Sequence, residues 1–207
     1  MRLIPKAIQE GFQSLTIPVV DGLIRMGIGP NLITTVGTLV VVASAVAYGY
    51  GWIRLGGALL LASGIVDTLD GAVARKTGQV TRFGAFYDST LDRVGDGATF
   101  MGIAVWLLTT PEEVAWRNWA IAVCILAIVA SMLVSYARAR AEGLGLECKV
   151  GIAQRAERIV GLGVLSVVVG AGPQALVLEG AVLLLAVASI ITVVQRFVYV
   201  YQVTEGT

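Results

Sequence analysis

At 207 residues the chain has room for one domain. Hydrophobic residues make up 57% of it and charged ones 14%, with mean hydropathy +0.83, against roughly 45–50% apolar and about 25% charged in soluble domains. A net charge of +1 leaves no basic field for nucleic acid, and the absence of histidine excludes imidazole metal ligands, His general bases and Ser-His-Asp triads.

Residues 1–29 read as an interfacial juxtamembrane segment. Lys6, Glu10 and Asp21 interrupt any secretory core. Ile4, Ile8, Phe12 and Leu15 recur at helical spacing, which predicts an amphipathic helix on the cytoplasmic interface. Pro18 and the Gly29-Pro30 pair are expected breaks, and Pro30-Asn31 opens the first span. Uncharged runs of 28 residues after Arg25, 20 after Arg117, 20 after Arg158 and 16 after Glu179 mark long apolar stretches. Shorter runs of 12 after Arg54 and 15 after Asp96 mark two more. The expected fold is therefore an all-α polytopic membrane protein, with six transmembrane helices at roughly 31–50, 55–75, 84–109, 118–139, 157–172 and 177–198. With both termini cytoplasmic, thirteen Lys and Arg lie inside and only Arg54 and Arg117 outside. A single integral-membrane domain spans 1–207, its six-helix bundle over 30–200. Cys124 and Cys148 form no zinc or redox motif.

The two short runs carry the chemistry. Twelve helical residues rise about 18 Å against a hydrocarbon core of about 30 Å, so Asp67 remains at membrane depth if Arg54 marks the outer face. Asp70 lies just beyond, and Asp92 and Asp96 are at depth when counted back from Glu112. An ionised Asp in a span costs at least about 2.5–3.5 kcal/mol, so this crowd needs compensation. Asp67 and Asp70 are i,i+3 on the second span, and Asp88 and Asp92 are i,i+4 on the third. A short loop would bring these faces together as an oxygen-only site of four carboxylates, suited to two Mg²⁺ or Mn²⁺ ions and to phosphoryl transfer. A structural salt-bridge knot with Arg75, Lys76, Arg82 and Arg93 is an alternative. So is an ion-conducting path, as in a divalent-cation transporter. Asp96 extends the Asp88/Asp92 face by another i+4, and its role stays open between joining that face and serving only as a partner for Arg93 or Arg75. Small residues (Gly71, Ala72, Ala74, Gly84, Ala85) surround the carboxylates, allowing close approach of a ligand or a neighbouring helix.

Asp67-x-x-Asp70-Gly71-x-x-Ala74-Arg75, eight residues, then Gly84-x-x-x-Asp88-x-x-x-Asp92 resembles the signature of the CDP-alcohol phosphotransferases at every defined position. Pro30-Asn31-x-x-Thr34, Thr81-Arg82-Phe83-Gly84, Ser135-Tyr136, Arg140-Ala141-Glu142 and Arg155-Ala156-Glu157-Arg158 are similar to the actinobacterial phosphatidylinositol phosphate synthase branch of that family. The resemblance implies CDP-diacylglycerol as donor, with Asp67, Asp70, Asp88 and Asp92 as metal ligands and Asp92 also as general base. It further implies Asn31, Thr34, Gly71, Ala74, Arg75 and Thr81 as donor contacts, CMP as leaving group, and a homodimer in the cell membrane with its site facing the cytoplasm. An intramembrane prenyltransferase, also Asp-rich and Mg²⁺-dependent, is disfavoured by the Asp70-Gly71-x-x-Ala74-Arg75 element and by the span count.

The acceptor must meet its recognition groups on the later spans. Arg138, Arg155, Arg158 and Arg196 all fall at predicted cytoplasmic ends, where forked guanidinium donors suit a phosphorylated alcohol better than a neutral one. The expected phosphate clamps are Arg155 and Arg196, followed by Arg138 and Ser131, seven residues apart on one face of span four. By resemblance, Arg155-Ala-Glu-Arg158 favours inositol 1-phosphate over glycerol 3-phosphate. Arg138 stands where the branch leads one to expect Lys.

Overall fold

The computed structural model describes residues 6–152 and 155–205. Its helices are α1 (Lys6–Arg25), α2 (Pro30–Gly49), α3 (Ile53–Thr77), α4 (Arg82–Thr109), α5 (Arg117–Gly143), α6 (Arg155–Val168) and α7 (Leu176–Thr204), with a 3-10 turn at Pro173–Ala175 before the last. Among the described residues there is no strand. Among the described residues, four segments are long and apolar enough to cross a membrane: Pro30–Gly49, Ile53–Thr77, Arg117–Gly143 and Pro173–Thr204. Of the two remaining expected spans, α4 is long but carries Asp88, Asp92, Arg93 and Asp96 between its N-terminus and its middle. The other, α6, has 14 residues and so rises only about 21 Å. It stops at Val168, short of the expected 172, because Gly170 and Gly172 both take φ +75° and turn the chain out of the helix.

Local signals explain the other boundaries. Pro30 occupies the first turn of α2 behind an extended Gly29, where its missing N–H costs nothing. Gly78, at φ +69°, ends α3 in the left-handed conformation. Thr81 caps α4 by accepting the Gly84 N–H at 2.9 Å. Pro18 does not break α1, contrary to expectation. It is exposed, and the helix beyond it is secured by buried Val20 and by the Asp21–Lys76 ion pair to α3. Ile4, and the side chains of Ile8, Phe12 and Leu15, lie outside the described residues, so their expected apolar stripe is not described.

The long helices close into a ring. α2 packs on α3 and α4, α3 on α6, α4 on α5, α5 on α7, and α6 touches α7. Tyr48, Ile103, Leu107, Cys124, Leu162 and Leu178 are buried between them, while large side chains such as Leu39, Met101, Ile125 and Leu184 face outward. In a bilayer that outer surface is solvated by lipid, so helix association rests on close packing instead of exclusion from water. Tyr48 on α2 donates its hydroxyl to Ser166 on α6 at 2.9 Å, and Ser44 donates to the Gly56 carbonyl at 2.7 Å. Glycine makes the crossings possible: a Cβ on Gly163 would stand 2.6 Å from Leu61 Cγ, and one on Gly57 2.8 Å from the Gly163 carbonyl oxygen. At Gly102 the obstacle would be the Ala45 carbonyl itself, a backbone group that has no room to yield.

Gly102→Ala should therefore lower stability by about 1–3 kcal/mol, the usual cost of overpacking. Gly161→Ala, with nothing within 4 Å of its Cβ position, should not. Thermal unfolding of the two variants in detergent checks the contrast.

Candidate metal and phosphate site

Residues 78–81 turn α3 straight back into α4, so the C-terminal end of one helix lies beside the N-terminal end of the other. Asp67 and Asp70 leave one face of α3, and Asp88 meets them from α4. Each of the three offers an oxygen, and these oxygens lie within 4.8 Å of one another. A cluster of oxygen donors, without nitrogen or sulfur, fits a hard divalent cation. Asp70 is 6% exposed, and its carboxylate is held from two directions. Thr34 on α2 donates its hydroxyl to one oxygen at 2.7 Å, and the Gly71 N–H donates to the other. This is the kind of outer support that orients a ligating carboxylate.

Asp92, expected at the fourth corner, lies one turn beyond Asp88 on α4 and shares an arginine with the triad. Its Oδ1 receives Arg155 Nη1 at 2.9 Å, and the same Nη1 lies 2.5 Å from Asp67 Oδ2. The clamp expected for the acceptor phosphate thus sits between a candidate ligand and the candidate base. Asp96 does not pair with Arg93 or Arg75. It binds Arg158 through one oxygen and faces Arg155 Nε at 3.6 Å through the other. Arg93 instead turns back to the Ser89 carbonyl on its own helix. The first turn of α6 packs against this end of the bundle and delivers two guanidinium groups, i,i+3 apart, to the carboxylates.

The six expected donor-contact residues gather at the same end. Asn31 and Thr34 open α2, Gly71, Ala74 and Arg75 close α3, and Thr81 precedes α4. A Cβ at Gly71 would come within 3.1 Å of Arg75 Nη1, so the missing side chain makes room for that guanidinium. Arg75 is exposed. A Cβ at Gly84 would stand 3.1 Å from Thr81 Oγ1 and 3.5 Å from Asn31 Oδ1, which brings α2 to the mouth of α4. The other acceptor candidates are differently engaged. Arg196, 5% exposed, donates Nε to the Val150 carbonyl at 3.0 Å and Nη1 to the Val134 carbonyl, tying α7 to α5 and to the loop after it. Arg138 is exposed and paired with Glu142 at 2.8 Å, one turn along α5. Ser131 is buried, its hydroxyl on the Ile128 carbonyl at 2.8 Å.

These features place the molecule among membrane enzymes that transfer phosphoalcohol groups. The chain belongs to the CDP-alcohol phosphatidyltransferase family, whose pattern matches residues 28–200. It is 40% identical over 191 residues to the archaetidylinositol phosphate synthase of Methanothermobacter thermautotrophicus, covering 89% of this chain and 88% of that one. It is 39% identical over 206 residues to the phosphatidylinositol phosphate synthase of Cutibacterium acnes, covering 96% and 98%. The Mycobacterium tuberculosis phosphatidylinositol phosphate synthase with CDP-DAG bound has a similar structure, with TM-score 0.80 and 35% identity over 91% of this chain and 94% of its own. The same enzyme in complex with manganese and citrate gives 0.79 and 36% over 90% and 88%.

The Thr34–Asp70 contact has a direct consequence. Thr34→Val removes the hydroxyl and leaves a buried carboxylate oxygen without its donor, so transferase turnover should fall about 10–100-fold. Thr34→Ser keeps the donor and should retain most of the activity, measured as CMP release.

Proposed function

We propose that this chain is a six-span enzyme of the cell membrane, with both termini and its site on the cytoplasmic side. It moves the phosphatidyl group of CDP-diacylglycerol onto the hydroxyl of inositol 1-phosphate, giving phosphatidylinositol phosphate and CMP. In this reading Asp67, Asp70 and Asp88 hold the divalent metal ions, Mg²⁺ or Mn²⁺, with Asp92 nearby, and the chain is a single domain that works as a homodimer. The carrying observation is the position of Arg155, whose Nη1 is 2.5 Å from Asp67 and 2.9 Å from Asp92. A phosphate held on that guanidinium has its parent alcohol beside both the base and the ligands. When bound, two divalent ions neutralise the donor diphosphate and the charge that develops as its P–O bond breaks.

Each residue then has a definite task. Asn31, Gly71, Ala74, Arg75 and Thr81 border the nucleotide diphosphate, with Arg75 the cation among them. Thr34 keeps Asp70 oriented. Arg155 holds the acceptor phosphate by charge-assisted hydrogen bonds, with Arg196, Arg138 and Ser131 behind it. Asp92 accepts the proton of the acceptor hydroxyl, whose oxygen bonds to the phosphorus carrying diacylglycerol while the bond from that phosphorus to CMP breaks. Holding both substrates in one cleft supplies the proximity. Glycerol 3-phosphate would use the same machinery. The inositol phosphate reading is favoured by the names of the similar proteins from M. thermautotrophicus and C. acnes, whose products share the inositol phosphate headgroup and differ in the lipid.

The test is CMP release by the purified protein in lipid with Mg²⁺, using Asp92→Asn as the inactive reference. Inositol 1-phosphate, glycerol 3-phosphate and free inositol are offered separately, each with CDP-diacylglycerol and with the CDP-activated archaetidyl lipid. Turnover with inositol 1-phosphate and not with free inositol is the expected result. Turnover confined to glycerol 3-phosphate would overturn the acceptor assignment and leave the transferase chemistry standing.

A further inference from the structure

We infer that Asp96 is a positioning residue for acceptor recognition: Arg158 holds it, and it in turn aims Arg155. The inference rests on the reading of Arg155 as the clamp for the acceptor phosphate. Asp96 lies one turn beyond Asp92 on α4, and its side chain is 10% exposed. It is not part of the triad formed by Asp67, Asp70 and Asp88. A carboxylate this deep requires compensation, and one arginine would suffice for that. Asp96 instead meets two, with Arg158 Nη2 on Oδ2 and Arg155 Nε facing Oδ1 at 3.6 Å.

The two arginines differ in what else they touch. Arg155 is drawn through Nη1 to Asp67 and Asp92, both needed for the chemistry. Its Nε is buried and has no hydrogen-bond partner, so at 3.6 Å its attraction to Asp96 is electrostatic. Arg158 is 5% exposed. Its Nε and Nη1 are likewise buried without hydrogen-bond partners, which leaves its contact with Asp96 to set its orientation. The order of control therefore runs from Arg158 to Asp96 to Arg155. Asp96 attracts the Nε side of the guanidinium while Nη1 meets Asp67 and Asp92, so the group is held from both sides. That two-sided hold fixes the direction in which Arg155 is presented to a phosphate.

Neutralising Asp96 while keeping its shape tests this. With Asp96→Asn, the KM for inositol 1-phosphate should rise about tenfold or more, the usual cost of losing an orienting partner. The kcat and the KM for CDP-diacylglycerol should change by much less. As a readout independent of turnover, inositol 1-phosphate should raise the Tm of the unsubstituted protein in the absence of added metal, and raise that of Asp96→Asn far less. If Asp96→Asn does not fold, Asp96→Glu keeps the charge but moves the carboxylate by one methylene and should show the same selective rise in KM. An unchanged acceptor KM in whichever variant folds, alongside normal turnover of the unsubstituted protein, overturns this inference alone. Turnover of the unsubstituted protein with only unphosphorylated acceptors overturns the parent reading, and this inference with it.

Discussion

Charge compensation at one end of the bundle governs the rest of the structure. Asp67, Asp70, Asp88, Asp92 and Asp96 bring five formal negative charges to two adjoining helices. Arg155 and Arg158 return two positive charges, leaving a deficit of three. Separating ions from water costs several kcal/mol each unless partners are well placed, so the remaining charge calls for further cations. Two divalent ions would supply four positive charges, slightly more than the deficit, which leaves the site ready for anionic phosphates. A phosphotransfer site with a small positive surplus attracts both the donor diphosphate and the acceptor phosphate.

The ring of helices delivers this arrangement. The four-residue turn between α3 and α4 sets Asp88 opposite Asp67 and Asp70. α2 adds the Thr34 hydroxyl, and α6 adds the two guanidinium groups. The first turn of α6 meets the carboxylates through Arg155 and Arg158, while the close approach at Gly57 and Gly163 seats its second half against α3. Arg196 serves the same end by a different route. Bound to the carbonyls of Val134 and Val150, it fastens α5, α7 and the loop leading towards α6.

The sequence reveals whatever depends on local periodicity. The i,i+3 and i,i+4 spacing of the aspartates places each pair on one helix face, and the run lengths locate α2, α3, α4 and α5 closely, while α6 ends earlier and α7 runs further than expected. Contacts between distant segments were not legible. Asp67 and Arg155 are 88 positions apart, and Asp96 and Arg158 are 62 apart. Spacing along the chain offers Asp96 only nearby partners, Arg93 on α4 and Arg75 on α3, while the packing of α6 gives it Arg158 and Arg155. Thr34 was recognised as a site residue, but its partner Asp70 lies 36 positions away on another helix. The end of α6 was missed for a related reason: an uncharged run continues through Gly170 and Gly172, and hydropathy does not register a positive φ. Pro18 shows the converse, a strong local breaker overridden by the packing of Val20 and the Asp21–Lys76 pair.

The most direct test of the central claim is a Mn²⁺ titration of the purified protein followed by EPR. Saturable binding of two ions per chain, lost on substitution of Asp70 by Asn, is the predicted result. Binding that is absent, or that survives Asp70→Asn unchanged, would contradict the assignment of this carboxylate cluster as the metal centre on which the charge balance depends.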